Sequence, residues 1–409
     1  MKVVGLITEY NPFHNGHLYH INQSKELTGA DYVVVVMSGN FVQRGTPAIT
    51  DKYTRAKMAL ACGADLVLEL PVCFATGSAE FFAHGAVSIL HHLGFVDSIC
   101  FGSECGSIPI LSQIADFLLD EPVDFKETLT TSLKSGNTYP AARMHAMMKH
   151  FHSSDEHYTP DILSSSNNIL GIEYIKALIK LNSPMIPYTI TRKSNQYHDK
   201  ELDETGISSA TSLRASYETW HDLNKLKPSI PDRIYSILKS SELLSFPIVE
   251  NDCSDLLYYK LLQEEIETLT SYADISEDLA KRIMNLLPNY TNFTDFALLL
   301  KSKQYTLTRI NRAFLHILLN IKAYPAGTVA PYIRVLGLKK QASQIIRNST
   351  IEPQFPIITK VADAKNHLDS AGLFMLQQDI QAANVYNRIV YSKFGTSIAN
   401  DYQHGIVLD

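Results

Sequence analysis

The chain has 409 residues, of which 45% are hydrophobic and 19% charged, so it can bury more than one core and is neither a disordered chain nor a coiled coil. No apolar run approaches the roughly 18 residues of a membrane helix; the longest, Val33 to Met37, is strand-sized. The first residues enter a strand directly, so no signal or transit peptide is expected. The five cysteines, Cys62, Cys73, Cys100, Cys105 and Cys253, form no Cys-x-x-Cys pair and read as reduced thiols, which points to a cytoplasmic location.

The net charge of −6 argues against a uniformly basic nucleic-acid binder, but the charge is segregated. Between Asp295 and Glu352 there is no acidic residue. The same stretch holds Lys301, Lys303, Arg309, Arg312, Lys322, Arg334, Lys339, Lys340 and Arg347, nine positive charges that leave −15 on the rest of the chain. A basic segment on an acidic protein is the footprint of a polyanion site or, alternatively, a helical face neutralised by acidic neighbours.

Strand and helix signals alternate at first. Lys2 to Thr8 reads as a buried strand, followed by a turn and a helix from His14 to Leu27. Asp31 to Met37 is a second buried strand, and Ser38 to Thr50 a loop with Gly, Pro and Arg44. Asp51 caps a helix reaching Cys62. Asp65 to Leu70 is a third strand, Ser78 to Leu93 a helix and Ser98 to Phe101 a fourth strand. Such alternation predicts βαβ units and a parallel sheet. Ile108 to Leu181 is mostly helical, with Asn167 or Asn168 capping a helix from Ile169. Pro187 to Thr191 is a fifth strand, and Leu213 lies near the start of another helix. Lys227-Pro228-Ser229-Ile230-Pro231 is the best linker. The expected division is therefore 1–227, an α/β domain, and 228–409, a mainly α-helical domain. In the latter, helices are expected at Asp232–Leu244, Asp252–Thr270, Ser276–Leu287, Thr294–Ser302, Thr306–Lys322 and Leu338–Arg347, with a short strand at Phe355–Val361 and two further helices.

The chemistry concentrates after the first strand, in Gly5-Leu6-Ile7-Thr8-Glu9-Tyr10-Asn11-Pro12-Phe13-His14-Asn15-Gly16-His17. A helix N-terminus carries free N–H groups and about half a positive charge, which suits phosphates. Gly16 lets a nucleotide approach the backbone. His14 and His17, three apart, can share one helix face and stabilise charge on a phosphate during transfer. The carboxyl end of a parallel strand is where such sheets bind ligands. Gly206-Ile207-Ser208-Ser209-Ala210-Thr211-Ser212-Leu213-Arg214 is a hydroxyl-rich helix start with a cation, able to hold outer phosphates or simply to cap its helix. His91-His92 and His145/His150/His152 lack carboxylates at metal spacing, so no zinc site is expected. Trp220 and the Met144/Met147/Met148 group read as packing.

Together these two motifs resemble the nucleotidyltransferases that share a Rossmann-like fold with class I aminoacyl-tRNA synthetases, the HIGH superfamily. The synthetases' Lys-Met-Ser-Lys-Ser loop is absent. The longer segments Ser38-Gly39-Asn40-Phe41-Val42-Gln43-Arg44-Gly45-Thr46-Pro47-Ala48, Asp51 to Ala56, Gly63 to Pro71, Phe101-Gly102-Ser103-Glu104, Asn167 to Tyr174, Tyr197-His198-Asp199 and Arg334-Val335-Leu336-Gly337 resemble the bacterial tRNA(Met) cytidine acetate ligase family over nearly the whole chain. The resemblance implies activation of acetate by ATP, with Mg²⁺ between the phosphates, and acetylation of N4 of the wobble cytidine of elongator tRNA(Met). It implies ATP along Ile7, Thr8, Glu9, Tyr10, Asn11, Pro12, Phe13, His14, Asn15, Gly16, His17, Leu18, Tyr19 and His20, and at Gly102, Asn167, Arg192 and Lys193. His14, His17, Ser208, Ser209, Thr211 and Arg214 would act in catalysis, and the basic helical half would carry tRNA. Arg44 and Lys52 are further expected over the site, binding a carboxylate or phosphate, and Glu104 and Asp199 either orient a ribose or metal or cap a helix. No protein partner and no membrane are expected. The alternatives are a small-molecule adenylyltransferase and a non-catalytic tRNA-binding module. An acetyl-CoA-dependent enzyme is disfavoured because no Gly-x-Gly pair and no Gly-Lys P-loop occurs.

Overall fold

The computed structural model describes residues 1–151, 159–192, 208–347 and 355–409. Lys193, the Tyr197-His198-Asp199 segment, Gly206, Ile207 and His152 lie outside the described residues. Strands β1 (Val3–Thr8), β2 (Tyr32–Ser38), β3 (Phe41–Val42), β4 (Thr46–Pro47), β5 (Leu66–Leu70), β6 (Ser98–Ser103) and β7 (Ile186–Thr191) come from the first half, and β8 (Ile333–Leu338), β9 (Ile357–Ile358) and β10 (Val407–Leu408) from the second. The main sheet runs β10-β8-β5-β2-β1-β6-β7, with β9 beside β8, while β3 and β4 form a small hairpin. The five strands expected in the first half are the five adjacent parallel ones, β5, β2, β1, β6 and β7, and the short strand expected at Phe355–Val361 is β9.

The uninterrupted Val33-Val34-Val35-Val36 run is buried on both sides. Val34 and Val36 join one core, Val33 and Val35 the other. A strand covered by helices on both faces needs no polar side, so its alternation disappears. The first core continues without a break into the helical half, through Leu257, Ile283, Phe314 and Ile317.

Three features depart from the sequence-based expectation. The helix placed at Leu338–Arg347 is only a short turn and Ser343–Arg347, because the preceding residues form β8, which pairs antiparallel with β5. The second half therefore extends the sheet across the expected boundary at 228. Asp252–Thr270 is broken into short helices Ser254–Leu261 and Ile266–Leu269. The helix that Asn167 or Asn168 was to cap is Ser166–Lys180, preceded by Ser165, and the Asn167 and Asn168 amides donate to Glu104 in the turn after β6. Asp51 does cap its helix, accepting from the Tyr53 and Thr54 amides.

Lys52 is not over the site. Its Nζ is buried, 2.7 Å from Glu69 and 2.9 Å from Asp401. Arg334 from β8 bonds the same two carboxylates at 3.1 and 2.9 Å. Two cations and two anions thus neutralise one another inside, where an isolated charge would be costly. The acid-free basic stretch is likewise not a single solvated patch: Arg312 pairs with Asp274 at 2.7 Å and Lys339 with Asp65 at 3.8 Å.

Candidate active site

β1 delivers the chain to the carboxyl edge of the sheet, and the turn after it is shaped from outside. The buried Arg55 guanidinium donates to the carbonyls of Glu9 (2.7 Å), Ser38 (3.0 Å), Gly39 and Thr50. It thereby ties the turns after β1 and β2 together. Asn11 Oδ1 accepts from the Ile49 amide at 2.7 Å. Tyr10 takes a left-handed backbone (φ 49°), a strain of roughly 1–2 kcal/mol for a residue with a Cβ.

The helix Asn15–Thr28 begins with a cap built from both histidines. His14 Nδ1 accepts from the Gly16 amide at 3.1 Å, and His17 Nδ1 accepts from the His14 amide at 3.2 Å. The rings stack with centroids 3.7 Å apart. An Nδ1 that accepts a backbone N–H carries no proton, so each neutral ring holds its proton on Nε2 and can donate from there. Burial first, then the Arg192 and Arg214 charges, lowers His14 to about 3. Burial, His14 and Arg192 hold His17 well below the usual value, and burial with Arg192 lowers His20 to about 4. Near neutral pH the site therefore presents uncharged N–H donors. Tyr10 and Phe13 back the His17 ring at 4.9 and 5.5 Å.

The second motif meets the first. Arg214 Nη1 donates to the Asn11 carbonyl at 2.7 Å, and Nη2 lies 3.4 Å from Thr211 Oγ1. Ser209 caps the helix Ala210–Trp220, and Ser208 Oγ is 3.0 Å from Ser229 Oγ. At the far side, Arg192 Nη1 donates to Asn167 Oδ1 (3.1 Å), whose amide donates to Glu104 (2.6 Å). A Cβ on Gly102 would come within 3.2 Å of the Arg192 side chain. Glu104 is thus a helix cap and an orienter of Asn167.

These elements enclose a cleft of about 540 Å³. Of the expected residues, Ile7, Thr8, Glu9, Tyr10, Asn11, His14, Gly16, His17, Tyr19, His20, Gly102, Asn167, Arg192, Ser208, Ser209, Thr211 and Arg214 line it, as does Arg44. Pro12, Phe13, Asn15 and Leu18 do not. Phe13 is buried behind the histidines, Asn15 donates to the Pro228 carbonyl at 3.0 Å, and Leu18 packs on the second core. The sequence reading assigned no site role to Gln43, Tyr174 and Thr308, which also line the cleft. Glu9 accepts from the Gln43 amide at 2.7 Å. Thr308 comes from the helix Leu307–Leu319 of the second half, and no local motif marks it.

The family described as HIGH Nucleotidyl Transferase matches residues 1–401. The chain is 41% identical over 394 residues to the tRNA(Met) cytidine acetate ligase of Clostridium perfringens, covering 95% of each, and 42% identical to that of Thermoanaerobacter sp., covering all of both. Its fold matches the crystal structure of Thermotoga maritima TmcAL bound with alpha-thio ATP at a TM-score of 0.89, and the apo form at 0.92. Both are 31% identical and cover 100% of this chain and 99% of theirs. The chain belongs to the HIGH nucleotidyltransferases and, among them, to the tRNA(Met) cytidine acetate ligase family.

Proposed function

We propose that this protein is an ATP-dependent acetate ligase that acetylates N4 of the wobble cytidine of elongator tRNA(Met) in the cytoplasm. The carrying observation is the pair of neutral imidazoles at a helix start, linked through Arg214 and Asn11 to a second, hydroxyl-rich helix start. This arrangement suits a triphosphate: N–H donors for the α-phosphate, and hydroxyls with a cation for the outer phosphates. The names of the relatives and the bound alpha-thio ATP of TmcAL support the same reading.

In the first step an acetate oxygen attacks the α-phosphorus in line, the bond to the bridging oxygen breaks, and pyrophosphate leaves. Positioning and charge stabilisation carry such a transfer. His14 and His17 donate from Nε2 to the phosphoryl oxygens as their charge grows. Ser208, Ser209, Thr211 and Arg214 hold the departing pyrophosphate. Mg²⁺, when bound, would be held by the phosphates themselves, whose charge it neutralises. In the second step the cytidine amine attacks the acetyl carbonyl carbon, the bond from that carbon to the phosphate oxygen breaks, AMP leaves and the amine releases one proton to solvent; the base must first leave its stack. Residues 1–227 would carry the chemistry and 228–409 much of the tRNA contact.

The test is release of labelled pyrophosphate from ATP with acetate, with and without tRNA. The wild type should release it only with acetate and pass labelled acetyl to tRNA. His14→Ala should fold and bind tRNA yet lose about 10²–10³-fold of adenylate formation, the scale for a lost transition-state donor. Normal turnover by that variant would overturn the assignment. Release with another acceptor and none with acetate would favour the small-molecule adenylyltransferase.

A further inference from the structure

The helices Ala79–His92 and Ser166–Lys180 serve two cavities. Ala79, Phe82, Leu170 and Tyr174 line the cleft described above, while Phe81, His84, Glu173 and Lys176 line a second of about 330 Å³. The helix Leu307–Leu319 also reaches both, with Thr308 in the first and His316 in the second. Eight residues at 1.5 Å each separate these two by about 12 Å, so the cavities lie side by side.

The second cavity has the makings of a site for a flat, neutral heterocycle. Phe81 and Tyr324 bring two part-exposed rings to its wall, 6.3 Å apart and tilted by 30°. His84 is 9% exposed, and its Nε2 has no hydrogen-bond partner among the described residues. The Gly327 carbonyl accepts a hydrogen bond from the same ring, so only one ring nitrogen is left to meet. A buried nitrogen left unmet calls for an explanation, and a ligand edge supplies one. The charged groups in the wall have partners of their own: Asp274 lies 2.7 Å from Arg312, and Lys322 Nζ sits 3.5 Å over the Tyr272 ring and donates to Ser271. Lys176 is 2.8 Å from Glu173 and Lys180 2.7 Å from Glu80. A bare anion or cation finds no excess of opposite charge there. A ring with donors and acceptors on its edge and an apolar face finds both kinds of partner. The volume is within the range of small-ligand sites.

We propose that this cavity is a nucleobase subsite that takes an unstacked base flanking the acetylated cytidine of the tRNA. This rests on the tRNA-acetylating reading above. Single-stranded RNA is recognised in this way, by stacking on aromatic rings and bonding of base edges, and loss of one stacking ring costs binding about tenfold.

Tyr324→Ala and His84→Ala should keep acetate-dependent pyrophosphate release, which needs only the first cleft. Their kcat/KM for acetyl transfer to tRNA should fall about tenfold, through KM. On the wild-type protein, a transcript abasic at one position next to the cytidine should lose the same factor, and the variants should lose nothing further with it. An unchanged KM, or penalties that multiply in full, would overturn the subsite. Free cytidine or AMP that binds the wild type but not Tyr324→Ala, with abasic transcripts unaffected, would make the cavity a small-molecule site and also overturn it. A wild type that releases no pyrophosphate with acetate sinks the reading of function instead. The subsite is then judged by 2-aminopurine in the anticodon loop: its fluorescence should be quenched by the wild type but not by Tyr324→Ala, and equal signals would refute it.

Discussion

His14 and His17 show how little of a residue's chemistry its identity carries. The spacing of three places both on a helix start, but the capping bonds to Nδ1 decide that Nε2 is the donor. A histidine in an unfolded chain titrates near 6.5, whereas His14 resists protonation to about 3 and His20 to about 4. Below pH 6.5 the unfolded chain therefore binds more protons, and stability falls as pH drops through that window; above it these residues cost nothing. The ¹⁵N resonances of His14 and His20 should show no titration between pH 5 and 8. A midpoint near 6.5 for His14 would refute the buried, neutral pair at the helix start, and one near 6.5 for His20 would refute the burial of that ring. A phosphate bound at His14 Nε2 should raise the His14 value, so His14 should titrate at higher pH in the ATP-bound protein than in the free one.

Elements hold these residues in place through contacts that have no local signature. Gly45 joins β3 to β4 with φ 78°, and a Cβ there would lie 2.3 Å from the Arg312 amide of the helix Leu307–Leu319. The hairpin that brings Gln43 and Arg44 to the cleft thus rests on helix backbone. Gly45→Ala should cost about 1–3 kcal/mol by overpacking and lower the rate of adenylate formation, read by denaturant midpoint and pyrophosphate release. Wild-type values for both would show that the hairpin seats itself independently. The Lys52–Glu69–Arg334–Asp401 cluster adjoins the same loop, since the Lys52 amide donates to Asn40 Oδ1 at 2.8 Å. Lys52→Ala should destabilise by about 3–5 kcal/mol, leaving buried carboxylates unpaired. An unchanged unfolding midpoint with lost acetate affinity would return Lys52 to the site.

At the scale of the molecule, the helical half holds two kinds of cation that its charge pattern merged. Arg312, Arg334 and Lys339 are spent on internal pairs, while Lys301 and Lys303 remain exposed. Only charges of the second kind can meet phosphates. Transfer to tRNA should weaken steeply with salt, each phosphate contact adding about 0.7–0.9 to the log–log slope, while acetate-dependent pyrophosphate release changes little. Lys301→Glu with Lys303→Glu should reduce that slope; an identical slope would move the tRNA elsewhere. The sequence by itself determined the five adjacent parallel strands, the Asp51 cap, and the two motifs around His14 and Arg214, because periodicity, capping and close spacing are local properties. It could not distinguish Arg44, which lines the cleft, from Lys52, which is buried against Glu69 and Asp401. Nor could it show β8 beside β5, or Thr308 and Tyr324 in the walls of two neighbouring cavities. Those depend on which surfaces meet after hundreds of intervening residues, and only the packed tertiary structure decides that.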